Sequence, residues 1–240
     1  MRTYRLEIRV LQIAVLLTMI VMVFGMVSIW RAASEVPPID DIVQDGTNPD
    51  DSGDPGVEPG DETPVNTKIV CLGDSFTYGY PGETEDSWPQ RVADVLQIEV
   101  INAGVISQNA SDLVQRFDQD VTANEPGRVI IFAGVGDAIR EIPLEEYQEN
   151  IIKLVNKAEA DHIEPILALP IPFPGTAALN QAYREWEISY AQEKNIKMLD
   201  FQQVLFDSDG KILSSYSSDG KYPNKEGHKA MGDYVAGILK

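Results

Sequence analysis

The chain has 240 residues, 43% of them hydrophobic, and a formal net charge of −19, which gives enough apolar material for a substantial core in one or two domains. So acidic a chain lacks the basic face that phosphate backbones require, which excludes nucleic acid as the main partner. Cys71 is the only cysteine, so no intramolecular disulfide can form, and one cysteine with two histidines at unrelated positions offers no zinc-ligand spacing.

At the amino terminus, Arg2, Arg5 and Arg9 precede an uncharged stretch from Val10 to Trp30, in which only Gln12, Thr18 and Ser28 are noticeably polar. About 20 apolar residues suffice to cross a hydrocarbon core as a helix. Residues 10–30 are therefore expected to form a transmembrane signal anchor, with 1–9 in the cytoplasm because the basic flank stays inside. A cleaved signal peptide is the rival reading. The run is longer than the apolar region of such peptides, and Arg31-Ala32-Ala33-Ser34 has no clean small-x-small cleavage site. Either way the rest of the chain is exported, which makes the expected location membrane-anchored, single-pass and extracytoplasmic for the carboxyl-terminal part.

Residues 31–66 read as a linker. Pro37, Pro38, Pro55, Pro59 and Pro64 interrupt it, and residues 35–66 carry ten acids with no Lys or Arg. Such a composition buries too little apolar surface to offset its ordering entropy, and its like charges extend it. With +3 on residues 1–34 and −10 on the linker, −12 remains on 67–240.

From Thr67 onward the pattern changes. Apolar runs recur at Ile69 to Leu72, Ile98 to Ile101, Val129 to Ala133, Ile166 to Leu169 and Ile196 to Leu199. Between them the spacing turns helical: Trp88, Val92, Val95 and Leu96; Leu113, Val114 and Phe117; Tyr147, Ile151, Leu154, Val155 and Ala158; Ala182, Trp186 and Tyr190. A last helix over Lys225 to Leu239 is opened by Asn224. Strands alternating with helices predict an α/β fold, a three-layer α/β/α domain on a parallel five-stranded sheet over residues 67–240. Cys71, inside the first run, is packing material.

Open sheets of this kind hold their ligands at the carboxyl ends of the strands. The first run stops at Gly73-Asp74-Ser75. Gly73 suits a tight turn, and Ser75 is then either a helix cap or a candidate nucleophile lifted clear of the sheet. After the second run stands Asn102-Ala103-Gly104-Val105-Ile106-Ser107-Gln108-Asn109, and after the third Ala133-Gly134-Val135-Gly136-Asp137. Near the end come Asp219-Gly220-Lys221-Tyr222-Pro223-Asn224 and Gly227-His228. Ordinary loop chemistry accounts for each of these strings taken singly.

Taken together they resemble the blocks of the SGNH or GDSL hydrolases. GDSFTYG resembles the first block; the Asn102 string resembles N-A-x-x-x-G; Gly134 to Asp137 resembles G-x-N-D; and Asp219 to Asn224 resembles D-x-x-H-P-N. The resemblance spans residues 67–240 and implies a flavodoxin-like fold without metal or organic cofactor, whose members mostly hydrolyse carboxylic esters. It implies Ser75 as nucleophile and Asp219 as the acid that orients a base. The oxyanion falls to the backbone N–H groups of Ser75 and Ser107. Asp74 and Asp137 order their turns by hydrogen bonds.

The chain departs from the pattern at three places. Ser107 stands where the second block has glycine, which keeps the N–H donor. Gly136 stands where the third has asparagine, so a side-chain donor to the oxyanion is missing, a loss of about 3–4 kcal/mol of transition-state stabilisation. Tyr222 stands at the histidine position, and a phenol near pKa 10 donates but hardly accepts. Substitutes for the base are His228, expected on the outer part of the last helix, and Lys221 or Lys225 as a Ser-Lys pair. His162, before the fourth strand, reads as structural. Trp88 is a core anchor, and the loop Pro170 to Ala177 brings Phe173 and Pro174 to wall the pocket.

Two functions follow. One is an ester hydrolase or acyltransferase acting on an acylated small molecule or a cell-envelope polysaccharide. The other is a binding or assembly module that has kept the pocket and lost the chemistry. A flavodoxin-like nucleotide binder is a third reading, which the absence of a glycine-rich phosphate cradle and the acidic charge oppose.

Overall fold

The computed structural model describes residues 66–240, and the expected anchor and most of the linker lie outside them. Among the described residues, no helix is long and apolar enough to cross a membrane. Asn66 is already bonded into the domain, its side chain donating to the Glu125 carbonyl at 2.8 Å.

Five strands, β1 Ile69–Gly73, β2 Val100–Gly104, β3 Arg128–Phe132, β4 Glu164–Ala168 and β5 Lys197–Leu199, pair in parallel in the order β2-β1-β3-β4-β5. That is the doubly wound order whose switch point falls between β1 and β3. Side chains alternate across such a sheet, and each face has its own core. Val70, Leu72, Val129, Ile131 and Leu167 pack with Leu113, Tyr147, Ile151 and Tyr183 on one side. Ile69, Cys71, Ile130, Phe132 and Ile166 pack with Trp88, Val92, Met231 and Val235 on the other.

The helices are α1 Ser75–Tyr78, α2 Trp88–Leu96, α3 Ala110–Asp120, α4 Val135–Ile139, α5 Leu144–Ala160, α6 Ala177–Lys194, α7 Gln202–Leu205 and α8 Lys225–Leu239. Thus α3, α5 and α6 cover one face, while α2, α7 and α8 cover the other. The three layers predicted from alternating periodicities are present.

Caps fix where the helices begin. Ser87 accepts from the Gln90 N–H at the start of α2, Asn109 and Asp112 form a reciprocal capping box on α3, and Asn224 accepts from the Gly227 N–H on α8. The second strand runs later than its apolar signal suggested, over Val100–Gly104 instead of 98–101. As an edge strand it is half-buried along its length, so it tolerates Asn102 and Gly104 inside the ladder. Asn102 is therefore a strand residue, and its amide donates to the Tyr78 carbonyl at 3.2 Å and to the Ser87 hydroxyl at 3.0 Å.

Candidate active site

The carboxyl ends of β1, β2 and β3 meet the loop before α8 around a cavity of about 190 Å³, lined by Asp74, Ser75, Phe76, Ser107, Gln108, Val135, Gly136, Ile139, Arg140 and Tyr222. Residues from four of the blocks singled out in the sequence thus share one cavity. Asp219 and His228 do not line it.

Ser75 opens α1, directly after the strand. Asp74 caps that helix, its Oδ1 accepting the Phe76 N–H at 2.9 Å. Gly73 is required for space more than for turn geometry: a β-carbon there would stand 2.1 Å from Thr77 Oγ1 and 2.8 Å from the Phe132 carbonyl oxygen. With α1 pressed this closely onto the strand end, Ser75 faces the cavity while keeping only 8% of its surface exposed.

Ser107 comes to Ser75 from the loop after β2. Its backbone N–H donates to Ser75 Oγ at 3.0 Å. The substitution of serine for glycine is not conformationally neutral, because Ser107 sits at φ +62°, in the left-handed region that costs a residue with a β-carbon about 1–2 kcal/mol. The loop is secured by two arginines. Arg116 donates to the Gly73 carbonyl at 2.8 Å and to Gln108 Oε1 at 2.5 Å, while Arg140 donates to the Ser107 carbonyl and, at 3.4 Å, to the Gly136 carbonyl.

Two carboxyls lie under the site. Asp137 has no exposed surface, and it accepts the Ala110 N–H with both oxygens at 3.1 Å and the Gly134 N–H at 3.2 Å, joining the loops after β2 and β3. Burial pushes it up to about 6 against those donors. Asp74 is pushed up to about 7, chiefly by burial and further by the charge of Asp137, against the N–H groups of Phe76 and Gly136.

Gly136 contributes no side chain, and the space for one has closed. A β-carbon at 136 would stand 1.9 Å from the carbonyl oxygen of Gln108.

Tyr222 is held among Phe76, Tyr80 and Phe173, with ring centroids at 5.2, 4.7 and 5.4 Å. Burial first, then the charge of Asp74, raises its phenol above the ordinary value, so it remains a donor. Phe173 thus meets the site through Tyr222, and it walls neighbouring cavities with Pro174 instead of the Ser75 cavity itself.

Asp219 is exposed and turned onto its own loop. Its Oδ1 accepts from the backbone N–H groups of Lys221 at 2.8 Å and Tyr222 at 2.9 Å and from the Ser217 hydroxyl at 3.1 Å. Burial pulls its pKa upward, but these donors outweigh it and leave Asp219 below the ordinary carboxylate range. Asp219 therefore fixes the backbone that presents Tyr222.

The alternative bases do not reach the site. His228 is 1% exposed, a correction to the expectation of an outer position: the first turn of α8 tucks beneath the Tyr80 loop, where Nε2 lies 3.5 Å from the Tyr80 carbonyl. Burial lowers it to about 4. Lys225 pairs with Asp86 at 2.8 Å, and Lys221 lines a different cavity. His162 is exposed in the turn before β4, and Trp88 is fully buried. Among the described residues, no cluster of His, Cys, Asp and Glu is placed to hold a metal ion.

Comparison with known proteins bears on the family and the fold. The profile of the GDSL-like lipase/acylhydrolase family matches residues 71–230. An arylesterase from Vibrio mimicus is 22% identical over 181 residues, covering 72% of this chain and 88% of that protein. A solved structure of a G-D-S-L family protein from Desulfitobacterium hafniense has a TM-score of 0.71 at 55% identity, over 72% of this chain and 99% of that one. The fold is shared with a psychrotrophic esterase from Pseudoalteromonas, seen inhibited by monoethylphosphonate, at TM-score 0.60 and 23% identity over 70% and 94% of the two chains. On the extent of the profile match and on the fold, the chain belongs to the GDSL-like lipase/acylhydrolase family.

Proposed function

We propose that this domain cleaves carboxylic esters at Ser75, passing the acyl group to water or to a second alcohol. The observation that carries the reading is the 3.0 Å contact from the Ser107 N–H to Ser75 Oγ at the wall of a cavity. It joins a nucleophile and an oxyanion donor from separate strand ends. The Ser75 hydroxyl attacks the acyl carbon, and the carbonyl oxygen takes the charge against the N–H groups of Ser75 and Ser107. Ser75 begins α1, so its own N–H lies outside the helical ladder.

No described histidine lines the cavity, and Tyr222 stays protonated. The carboxyl that does line it is Asp74, raised to about 7 by burial; its Oδ1 is engaged by the Phe76 N–H, and as the one carboxyl on the cavity wall it is the group we assign to receive the Ser75 proton. A carboxylate of that pKa is a weaker match to the task than an oriented imidazole, so turnover is slow. The arylesterase and esterase relatives support ester chemistry in general, and the substrate class we favour is an acylated small molecule or cell-envelope polysaccharide. The sequence of residues 10–30 supports a membrane-anchored location outside the cytoplasm.

The opposing reading is a binding or assembly module on the same fold. The rings around Tyr222 and the closed space at Gly136 favour it. Hydrolysis of a small activated ester by the purified full chain separates the two. The hydrolase reading expects slow turnover that rises with pH through about 7 and is lost in Ser75→Ala. Equal rates in wild type and Ser75→Ala would leave the binding module.

A further inference from the structure

We infer that Arg140 is a catalytic residue of this site, its guanidinium standing in for the side-chain oxyanion donor that Gly136 does not supply. The inference rests on the ester-hydrolase reading above.

Three observations place the group. Arg140 lines the same cavity as Ser75, Ser107 and Gly136. A β-carbon built on Gly136 would stand 3.4 Å from Arg140 Nη1, so the guanidinium flanks the space from which a side chain at 136 would have reached. Third, the guanidinium is anchored to the two loops concerned, through Nη2 to the Ser107 carbonyl and Nη1 to the Gly136 carbonyl. The residue whose N–H reaches Ser75 Oγ is thus also the residue that holds Arg140 in place.

An arginine suits this position. Its five N–H donors in a rigid fork leave several after the two carbonyls are served. The path an asparagine would take is closed by the Gln108 carbonyl oxygen, whereas Arg140 approaches from the end of α4, one turn further along.

The step itself transfers no proton from the guanidinium. As Ser75 Oγ bonds to the acyl carbon, the carbonyl π pair moves onto oxygen, where it is held by Arg140 together with the N–H groups of Ser75 and Ser107. Collapse returns the pair and expels the alcohol oxygen, which takes the proton left by Ser75.

Because Arg140 also ties down the loop, the test separates catalysis from scaffolding. Ester kinetics of the full chain are compared for wild type, Arg140→Ala and Arg140→Lys, with millimolar guanidinium ion added back to Arg140→Ala. We expect kcat to fall about 10²- to 10³-fold in Arg140→Ala with KM little changed. Lysine should restore it in part, and so should free guanidinium. Affinity for a trifluoromethyl ketone, which forms an anionic tetrahedral adduct on serine, should fall in step with kcat. An unchanged kcat, a loss confined to KM, or a loss that guanidinium does not rescue would overturn the assignment while leaving Ser75 chemistry standing. Absence of Ser75-dependent turnover and of adduct in wild type would remove the hydrolase reading, and this inference with it.

Discussion

The backbone N–H of Ser107 donates to Ser75 Oγ at 3.0 Å from a left-handed φ of +62°. A residue with a β-carbon is therefore held in a conformation suited to glycine, at the wall of the Ser75 cavity. Strain kept at a functional loop has to be over-determined by its surroundings. Here Arg116 and Arg140 hold that loop from both sides.

Ser107→Gly should accordingly stabilise the domain. Relief of the left-handed strain is worth about 1–2 kcal/mol and the added chain entropy of glycine costs about 0.5–1 kcal/mol, so a net gain of about 0.5–1 kcal/mol is expected. Urea unfolding midpoints measure it. A lower midpoint would mean that the serine side chain contributes a contact outweighing its strain.

At Gly136 the expected result is negative. Restoring asparagine would satisfy the family pattern, but the β-carbon meets the Gln108 carbonyl oxygen at 1.9 Å. Gly136→Asn should cost about 1–3 kcal/mol by overpacking and leave ester turnover no faster. A variant that is both stable and faster would show that the loop after β2 retreats easily.

Tyr222→His tests whether an imidazole is what the site lacks. The backbone carrying residue 222 is fixed by Asp219, and the ring faces the Ser75 cavity. General-base catalysis contributes about 10²- to 10⁴-fold, so even imperfect placement should raise turnover about tenfold above pH 7. Loss of the aromatic contacts should lower stability by about 1 kcal/mol. Unchanged turnover would mean that the cavity, and not the base alone, has diverged.

A fourth expectation concerns pH. Glu187 is 1% exposed and accepts the Tyr147 hydroxyl. Burial first, with the charge of Asp137, raises it to about 8 against the Tyr147 hydrogen bond and the Arg184 charge. The folded state then keeps a proton that the unfolded chain gives up in the ordinary carboxylate range. Stability from this group is fully present below that range and is lost as pH rises towards about 8. Glu187→Gln should flatten that fall, by on the order of a few kcal/mol at most, in urea unfolding at pH values spanning the window. A fall just as steep in the variant would assign it to Asp74 and Asp137.

Much of this was legible in the sequence, and the reasons are particular. The central strands announced themselves because burial on both faces demands unbroken apolar runs such as Ile69 to Leu72. The edge strand β2 did not, since its half-buried ladder admits Asn102 and Gly104. Ser75 was legible as a hydroxyl at the end of a buried strand, whereas Ser107, Gly136 and Tyr222 stood out only because their strings, taken together, resemble the family's blocks. Arg116 and Arg140 were not: a lone arginine on a helix reads as a solvated side chain until the fold shows which carbonyls it reaches. His228 misled for the converse reason, since a helix-start histidine looks exposed and only the packing of the Tyr80 loop buries it.

The central claim is that Ser75 is a nucleophile. Treating the full chain with a fluorophosphonate ester and locating the adduct by peptide mass spectrometry tests it most directly. The account predicts a single phosphonyl group on Ser75, absent from Ser75→Ala, forming faster as pH rises through about 7. An unlabelled Ser75 in the folded protein, or labelling that survives Ser75→Ala, would contradict it.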